Sequence, residues 1–132
     1  MVSKVLVANR GEIACRILRA CHEAGLATVA IYAHNDADSM FIELADEAFL
    51  LTGNTIGETY LDQQQILSIA NQTGADAIHP GFGFLSERAD FARAVTQAKI
   101  QWVGPSPEAI EKMGDNMTAR TTMRAAGLPV IP

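Results

Sequence analysis

Apolar residues fall into two rhythms that alternate along this chain. Lys4–Ala8, Thr28–Tyr32, Ala48–Leu51, Asp76–His79 and Gln101–Val103 are short, mostly apolar runs. Their length suits strands, and their apolarity suits strands covered on both faces. Between them, Glu12–Ala24, Leu61–Thr73 and Glu87–Ala98 repeat apolar residues at helical spacing, and Ser39–Ala45 is a candidate short helix. In the first helix Ile13, Ile17, Cys21 and Ala24 mark the expected buried stripe, with Ala14 and Leu18 beside it. Arg16, Arg19 and Glu23 then fall on the opposite face, where Arg19 and Glu23 stand at the spacing of a weak helical ion pair. Ile66, Ile69, Ala70 and Thr73 stripe the helix after Leu61, and Phe91, Val95 and Ala98 stripe the one after Glu87. Gly25 and Gly74 are placed to end their helices.

This alternation predicts an α/β, Rossmann-like three-layer domain with a mostly parallel five-stranded sheet. Gly104-Pro105-Ser106-Pro107 breaks the rhythm and marks a boundary after residue 104, with Ser106 and Pro107 as the N-cap and first residue of a new helix. Over 105–132 the pattern predicts helices at Glu108–Met113 and Met117–Ala126, then a strand-like Leu128-Pro129-Val130-Ile131-Pro132. Ending on an unpartnered strand carries the expectation that a further domain follows.

Composition narrows the class. At 132 residues, 48% hydrophobic and 19% charged, the chain has enough apolar material for one packed domain and is not disordered. A net charge of −5 without a basic tract argues against nucleic acid as a partner. No apolar run approaches the roughly 20 residues that span a membrane, and Met1–Val7 reads as a first strand rather than a signal peptide. Cys15 and Cys21 share one helix, six residues apart, and read as two buried thiols in a reducing compartment, the cytoplasm or an organelle matrix.

Candidate chemistry concentrates at two turns that follow strands. His79-Pro80-Gly81-Phe82-Gly83-Phe84-Leu85-Ser86-Glu87 lies where an α/β sheet gathers ligands. Pro80 restricts His79 to extended backbone, and Gly81 and Gly83 permit positive φ. Ser86 is the expected N-cap of the next helix. One of Phe82 and Phe84 should anchor the loop and the other should meet a ligand. His79 itself reads as a structural histidine, and His22 and His34 as solvent-facing. The first strand-to-helix turn, Ala8-Asn9-Arg10-Gly11-Glu12, has one glycine and so lacks a dinucleotide fingerprint. Its amides and Arg10 could favour an anion, or Arg10 could pair with a carboxylate. Asp36 and Asp38 read as turn residues.

Several blocks together carry a resemblance. Val5-Leu6-Val7-Ala8-Asn9-Arg10-Gly11-Glu12-Ile13-Ala14 with Arg16 two residues on, Ala45-Asp46-Glu47-Ala48, Thr59-Tyr60-Leu61, Gly74 to Gly81, Gly83 to Glu87 and Gly104-Pro105-Ser106 closely resemble the biotin carboxylase family, collinearly from Lys4 to Pro132. The resemblance implies the N-terminal, pre-ATP-grasp domain of an ATP-grasp ligase. In that family ATP and bicarbonate form a carboxyphosphate-type intermediate, and its carboxyl passes to N1 of biotin on a carrier protein or domain. This is the first half-reaction of acetyl-CoA carboxylase or another biotin-dependent carboxylase, which also has a carboxyltransferase component.

The resemblance also implies site residues. Phe82 stands where the family usually has a tyrosine against biotin, so Phe82 and Gly83 are the implied biotin contacts. Asn116 stands where a lysine usually reaches ATP, with Arg120 a possible compensating charge. Arg16, Arg19 and Glu23 would contribute to a homodimer interface. Mg2+ or Mn2+, most ATP contacts and all catalytic groups would lie beyond Pro132, leaving this stretch inactive alone. From another class, a stand-alone Rossmann-like module binding a nucleotide or a protein accounts for the same element pattern.

Overall fold

In a computed structural model of the chain, residues 1–114 are described. Strands β1 (Lys4–Val7), β2 (Ala27–Tyr32), β3 (Glu47–Leu50), β4 (Ala77–His79) and β5 (Gln101–Trp102) form one sheet in the order β3-β2-β1-β4-β5. All four pairings are parallel, so the expected mostly parallel sheet is parallel throughout. Helices α1 (Gly11–Glu23), α2 (Met40–Leu44), α3 (Gln63–Thr73) and α4 (Ala89–Gln97) connect the strands, and a further helix runs over 107–114.

Strand alternation sorts the core into two halves. Val5, Val7, Ala30 and Ala77 pack under α1 and α2, together with Leu18 and Phe41. Leu6, Val29, Ile31 and Ile78 point to the other face, against Ile66 of α3 and Phe91 of α4. Each strand thus feeds both faces, which is why its run reads as continuously apolar. The result is the expected three-layer domain. Asp76 closes the sheet's lower edge by accepting from Ser3 N, Ser3 Oγ and Lys4 N.

Helix boundaries follow local chemistry. Asp62 caps α3 by accepting from Gln64 N and Gln65 N, and Gly74 ends it at φ 72°. Ser106 Oγ accepts from Ala109 N at 3.2 Å, as its reading as an N-cap requires. The Arg93–Glu111 ion pair ties that last helix to α4.

Three expectations need correction. The buried stripe of α1 is Ala14, Cys15, Leu18 and Cys21; Ile13 and Ile17 flank it and Ala24 is exposed. The helix is rotated so that Ile13 and Ile17 border the loop after β4 at Gly81, with Ile17 also touching the core beneath α1. Ser86 caps no helix, since Phe84–Glu87 forms a 3-10 turn and α4 starts at Ala89 after an extended Arg88. Burial of Leu85 draws the chain into that tight turn before the helix can begin. In α4 the inner face is Phe91, Ala92 and Val95, and Ala98 is exposed. The helix of Met117–Ala126 and the strand of 128–132 lie outside the described residues.

Candidate functional site

β1 and β4 lie side by side at the centre of the sheet, yet their chains leave for opposite faces. β1 continues into α1 and β4 into α4, whose cores lie on different sides of the sheet. The crevice between two such departing loops is where open α/β sheets hold ligands. Here its floor is filled by one side chain. Asn9, 1% exposed, donates from Nδ2 to Pro80 O and to Phe82 O, both at 2.8 Å. Its Oδ1 accepts from Arg10 N at 2.8 Å. Sequence reasoning missed this clamp, for which the only signal was a lone amide directly after an apolar strand.

The clamped loop carries Phe82 outward. Phe82 is 76% exposed and is the one exposed aromatic among the described residues. Phe84 does the opposite: it packs on the core, with its ring centroid 5.5 Å from that of Tyr60. Gly81 and Gly83 have φ of 69° and 73°, so both glycines are required by the backbone. At Gly81 there is a second reason, because a Cβ would lie 2.8 Å from Asn9 Nδ2 and 2.9 Å from Ile13 Cγ2.

Between this loop and α1 runs an open, mainly apolar groove of about 500 Å3, lined by Ile13, Ile17, Ala20, His79 and Phe82. Arg16 stands on its rim, which places one of the three expected interface residues beside the loop. His79 Nδ1 accepts from Gly81 N at 3.1 Å, and burial holds its pKa below the ordinary histidine value. It is therefore a neutral structural histidine that braces the turn.

The turn after β1 settles into ion pairing. Arg10 Nε and Nη2 reach Asp36 Oδ2 and Oδ1 at 2.7 and 2.5 Å, and Tyr60 Oη donates to Asp36 Oδ2 at 2.6 Å. Arg10, then the Tyr60 hydrogen bond, hold Asp36 below the usual carboxylate range against the opposing effect of burial. Burial first, and then Asp36, push the Tyr60 hydroxyl pKa up. Asp36 is thus more than a turn residue. It is buried, and the acid that could hold a ribose after β2 is engaged by Arg10 and Tyr60 instead. Asp38 is exposed, as a turn residue would be.

On the outer face of α1, Arg16, Arg19 and Glu23 are all exposed. The expected Arg19–Glu23 pair does not form; Arg19 instead lies 3.8 Å from Glu12 and reaches Met40 Sδ. Cys15 and Cys21 are buried free thiols. Among the described residues no three His, Cys, Asp or Glu side chains converge as metal ligands, and no helix is long and apolar enough to cross a membrane. Asn116 and Arg120 lie outside the described residues.

The model of the biotin carboxylase N-terminal domain matches residues 1–110. The biotin carboxylase of Halalkalibacterium halodurans is 55% identical over the whole chain, which spans 29% of that relative's length. The biotin carboxylase subunit of a pyruvate carboxylase superposes with a TM-score of 0.85 at 51% identity, covering 100% of this chain and 29% of that one. The biotin carboxylase domain dimer of Hydrogenobacter thermophilus 2-oxoglutarate carboxylase, solved with MgADP, ADP and bicarbonate, gives a TM-score of 0.85 at 46% identity. It too is covered over 29% of its length by all of this chain. With five-sixths of its residues matched by one family model, the chain belongs to the biotin carboxylase N-terminal domain family.

Proposed function

We propose that this chain forms one wall of the site at which a longer, ATP-dependent ligase carboxylates biotin. The observation that carries the reading is Phe82, an aromatic ring exposed on a loop whose backbone is rigidly held while its neighbour Phe84 is packed away. A flat apolar face suits the biotin ring system. Without a hydroxyl it offers van der Waals contact and no phenolic hydrogen bond. Gly83, at φ 73°, leaves room beside that face for the ligand's approach.

The rest of the reaction follows from the family. ATP and bicarbonate would give a carboxyphosphate-type intermediate, and the carboxyl would pass to N1 of biotin carried on a partner protein or domain. The relative solved with MgADP and bicarbonate supports that pairing of substrates. Mg2+ or Mn2+ would neutralise phosphate charge when bound, and its ligands are sought beyond Pro132. Asn116 is the proposed ATP contact on this chain. Residues 1–104 would be the Rossmann-like domain, and 105–132 the lead into the ATP-grasp domain. Acetyl-CoA carboxylase, and with it fatty acid biosynthesis, is one setting; a carboxyltransferase component and a cytoplasmic location belong to the same reading.

The test is bicarbonate-dependent ATP cleavage with free biotin by the full-length chain, expected to be present and to require both substrates. The 132 residues alone should show none, because transfer of phosphate needs electrostatic stabilisation by groups that the family reading places beyond Pro132. Absence of biotin-dependent cleavage in the full-length chain would refute the proposal.

A further inference from the structure

Phe82 is exposed, so no core packing orients its ring. What fixes it is its own backbone, and that backbone is held from across the sheet. The carbonyls of Pro80 and Phe82 bracket the two-residue segment that carries the ring, and both accept from Asn9 Nδ2. The third polar contact of the same side chain, Oδ1 to Arg10 N, anchors it to the start of α1. The β1–β4 ladder runs up to this point, with Ala8 N donating to His79 O at 2.9 Å. Gly81 then rests directly on the amide nitrogen, as the 2.8 Å approach of a Cβ at that position indicates.

We infer that Asn9 is a positioning residue for the reaction: by clamping the carbonyls of Pro80 and Phe82 it sets where the Phe82 ring meets biotin. Only a short amide satisfies the geometry. Aspartate has the same shape and keeps the acceptor, but would turn a carboxylate oxygen toward two carbonyls. Serine is too short to reach both. Asn9 touches no substrate and acts only through the loop. The inference rests on the proposed biotin-carboxylating function.

The experiment uses the full-length chain, with free biotin as the varied substrate. Asn9→Asp should raise the KM for biotin about tenfold, the equivalent of one net hydrogen bond. The KM values for ATP and for bicarbonate should stay at wild-type values. In a Phe82→Ala background the same substitution should have little further effect on biotin, since the ring it positions is gone. Asn9→Ser, which removes the clamp without adding a charge, takes the place of Asn9→Asp if the latter does not fold. An unchanged biotin KM in the folded variant, or an effect equally large in the Phe82→Ala background, overturns the inference while leaving the function standing. A wild-type chain without biotin-dependent cleavage overturns the function itself, and this assignment with it.

Discussion

Tyr60 and Asp36 meet at 2.6 Å beneath the turn that follows β2, the hydroxyl donating to a carboxylate that Arg10 grips from its other side. With Arg10, the pair joins three loops that are far apart in sequence. Ala33 N donates in turn to Tyr60 Oη at 3.1 Å, so the hydroxyl is both donor and acceptor. Arg10 is half exposed while Asp36 and Tyr60 are buried. The cost of breaking the cluster therefore falls on Asp36 and Tyr60, because Arg10 can turn to water.

Tyr60→Phe should lower stability by about 1–3 kcal/mol, the cost of leaving the part-buried Ala33 N–H and one carboxylate oxygen short of a partner. Asp36→Asn should cost a similar amount, and the double variant less than the sum, because both delete the same bond. Urea unfolding midpoints measure all three. The acid side follows from linkage. The folded pKa of Asp36 lies below its unfolded value. Its contribution is fully present above about pH 4 and is lost as pH falls through the folded pKa. The gap between wild type and Asp36→Asn should accordingly narrow in acid, and a gap that widens would contradict the assignment.

His79 gives a second pH dependence of the loop itself. Burial lowers its folded pKa, and Nδ1 is occupied as an acceptor from Gly81 N. The folded state resists protonation more than the unfolded one. Stability therefore rises with pH up to about 6.5 and is lost as pH falls from there through the folded pKa. An NMR titration of His79 should give a midpoint below 6.5, with faster exchange of the Gly81 amide on the acid side. His79→Asn retains an acceptor that does not titrate and should remove the effect. A midpoint above 6.5 would count against it.

Phe82 and Phe84 should separate function from stability. Phe82→Ala should change stability by less than about 0.5 kcal/mol, as expected for an exposed side chain. Its effect should appear in the KM for biotin. Phe84→Ala removes a half-buried ring from Tyr60 and should cost about 2 kcal/mol, below the 3–5 typical of a fully buried Phe. Thermal unfolding and biotin kinetics on the two variants decide; a destabilised Phe82→Ala with normal biotin kinetics would reverse the assignment.

That one of the two rings anchors the loop while the other faces out was legible in the sequence, because two aromatics two residues apart in a glycine turn do not both face one core; which ring does which was not legible from the turn alone. The strands and helices were legible for a similar reason: burial on both faces imprints unbroken apolar runs, and one-sided burial imprints helical spacing. What the chain's rhythm did not disclose depends on partners distant in sequence. Ile13 and Ile17 look like core residues, and it takes Gly81, over sixty positions later, to make them a groove wall. Ser86 is a good cap by composition, but Leu85 is pulled inward and the helix starts late. Asn9 shows only as a lone amide after an apolar strand and Tyr60 carries no local signature, since each acts across the sheet's carboxyl edge.

Gly11 and Gly81 should respond differently to alanine although both have positive φ. At Gly11, with φ 64°, nothing lies within 4 Å of a new Cβ, so the left-handed backbone alone is penalised, by about 1 kcal/mol. At Gly81, with φ 69°, the methyl also meets Asn9 and Ile13 under 3 Å. Gly81→Ala should therefore lose clearly more than Gly11→Ala in the same urea titration. Equal losses would mean that the loop shifts freely on Asn9.

The outer face of α1 yields the last expectation. Among the described residues Arg19 is held only by Glu12 at 3.8 Å and by Met40 Sδ at 3.8 Å, in a well-exposed setting. Such a pair contributes about 0–1 kcal/mol at most, so Arg19 can be recruited by a partner at little cost. Among the described residues Arg16 and Glu23 form no ion pair. All three point outward from one helix face, with Arg16 beside the Phe82 groove. If this face joins two copies of the full-length chain, Arg19→Glu should weaken the dimer at least about tenfold by adding like charge near Glu23. Sedimentation velocity against concentration should then show the monomer boundary growing, more so at low salt, where the repulsion is least screened. Unchanged sedimentation in both Arg19→Glu and Glu23→Arg would move the subunit contact elsewhere on the protein.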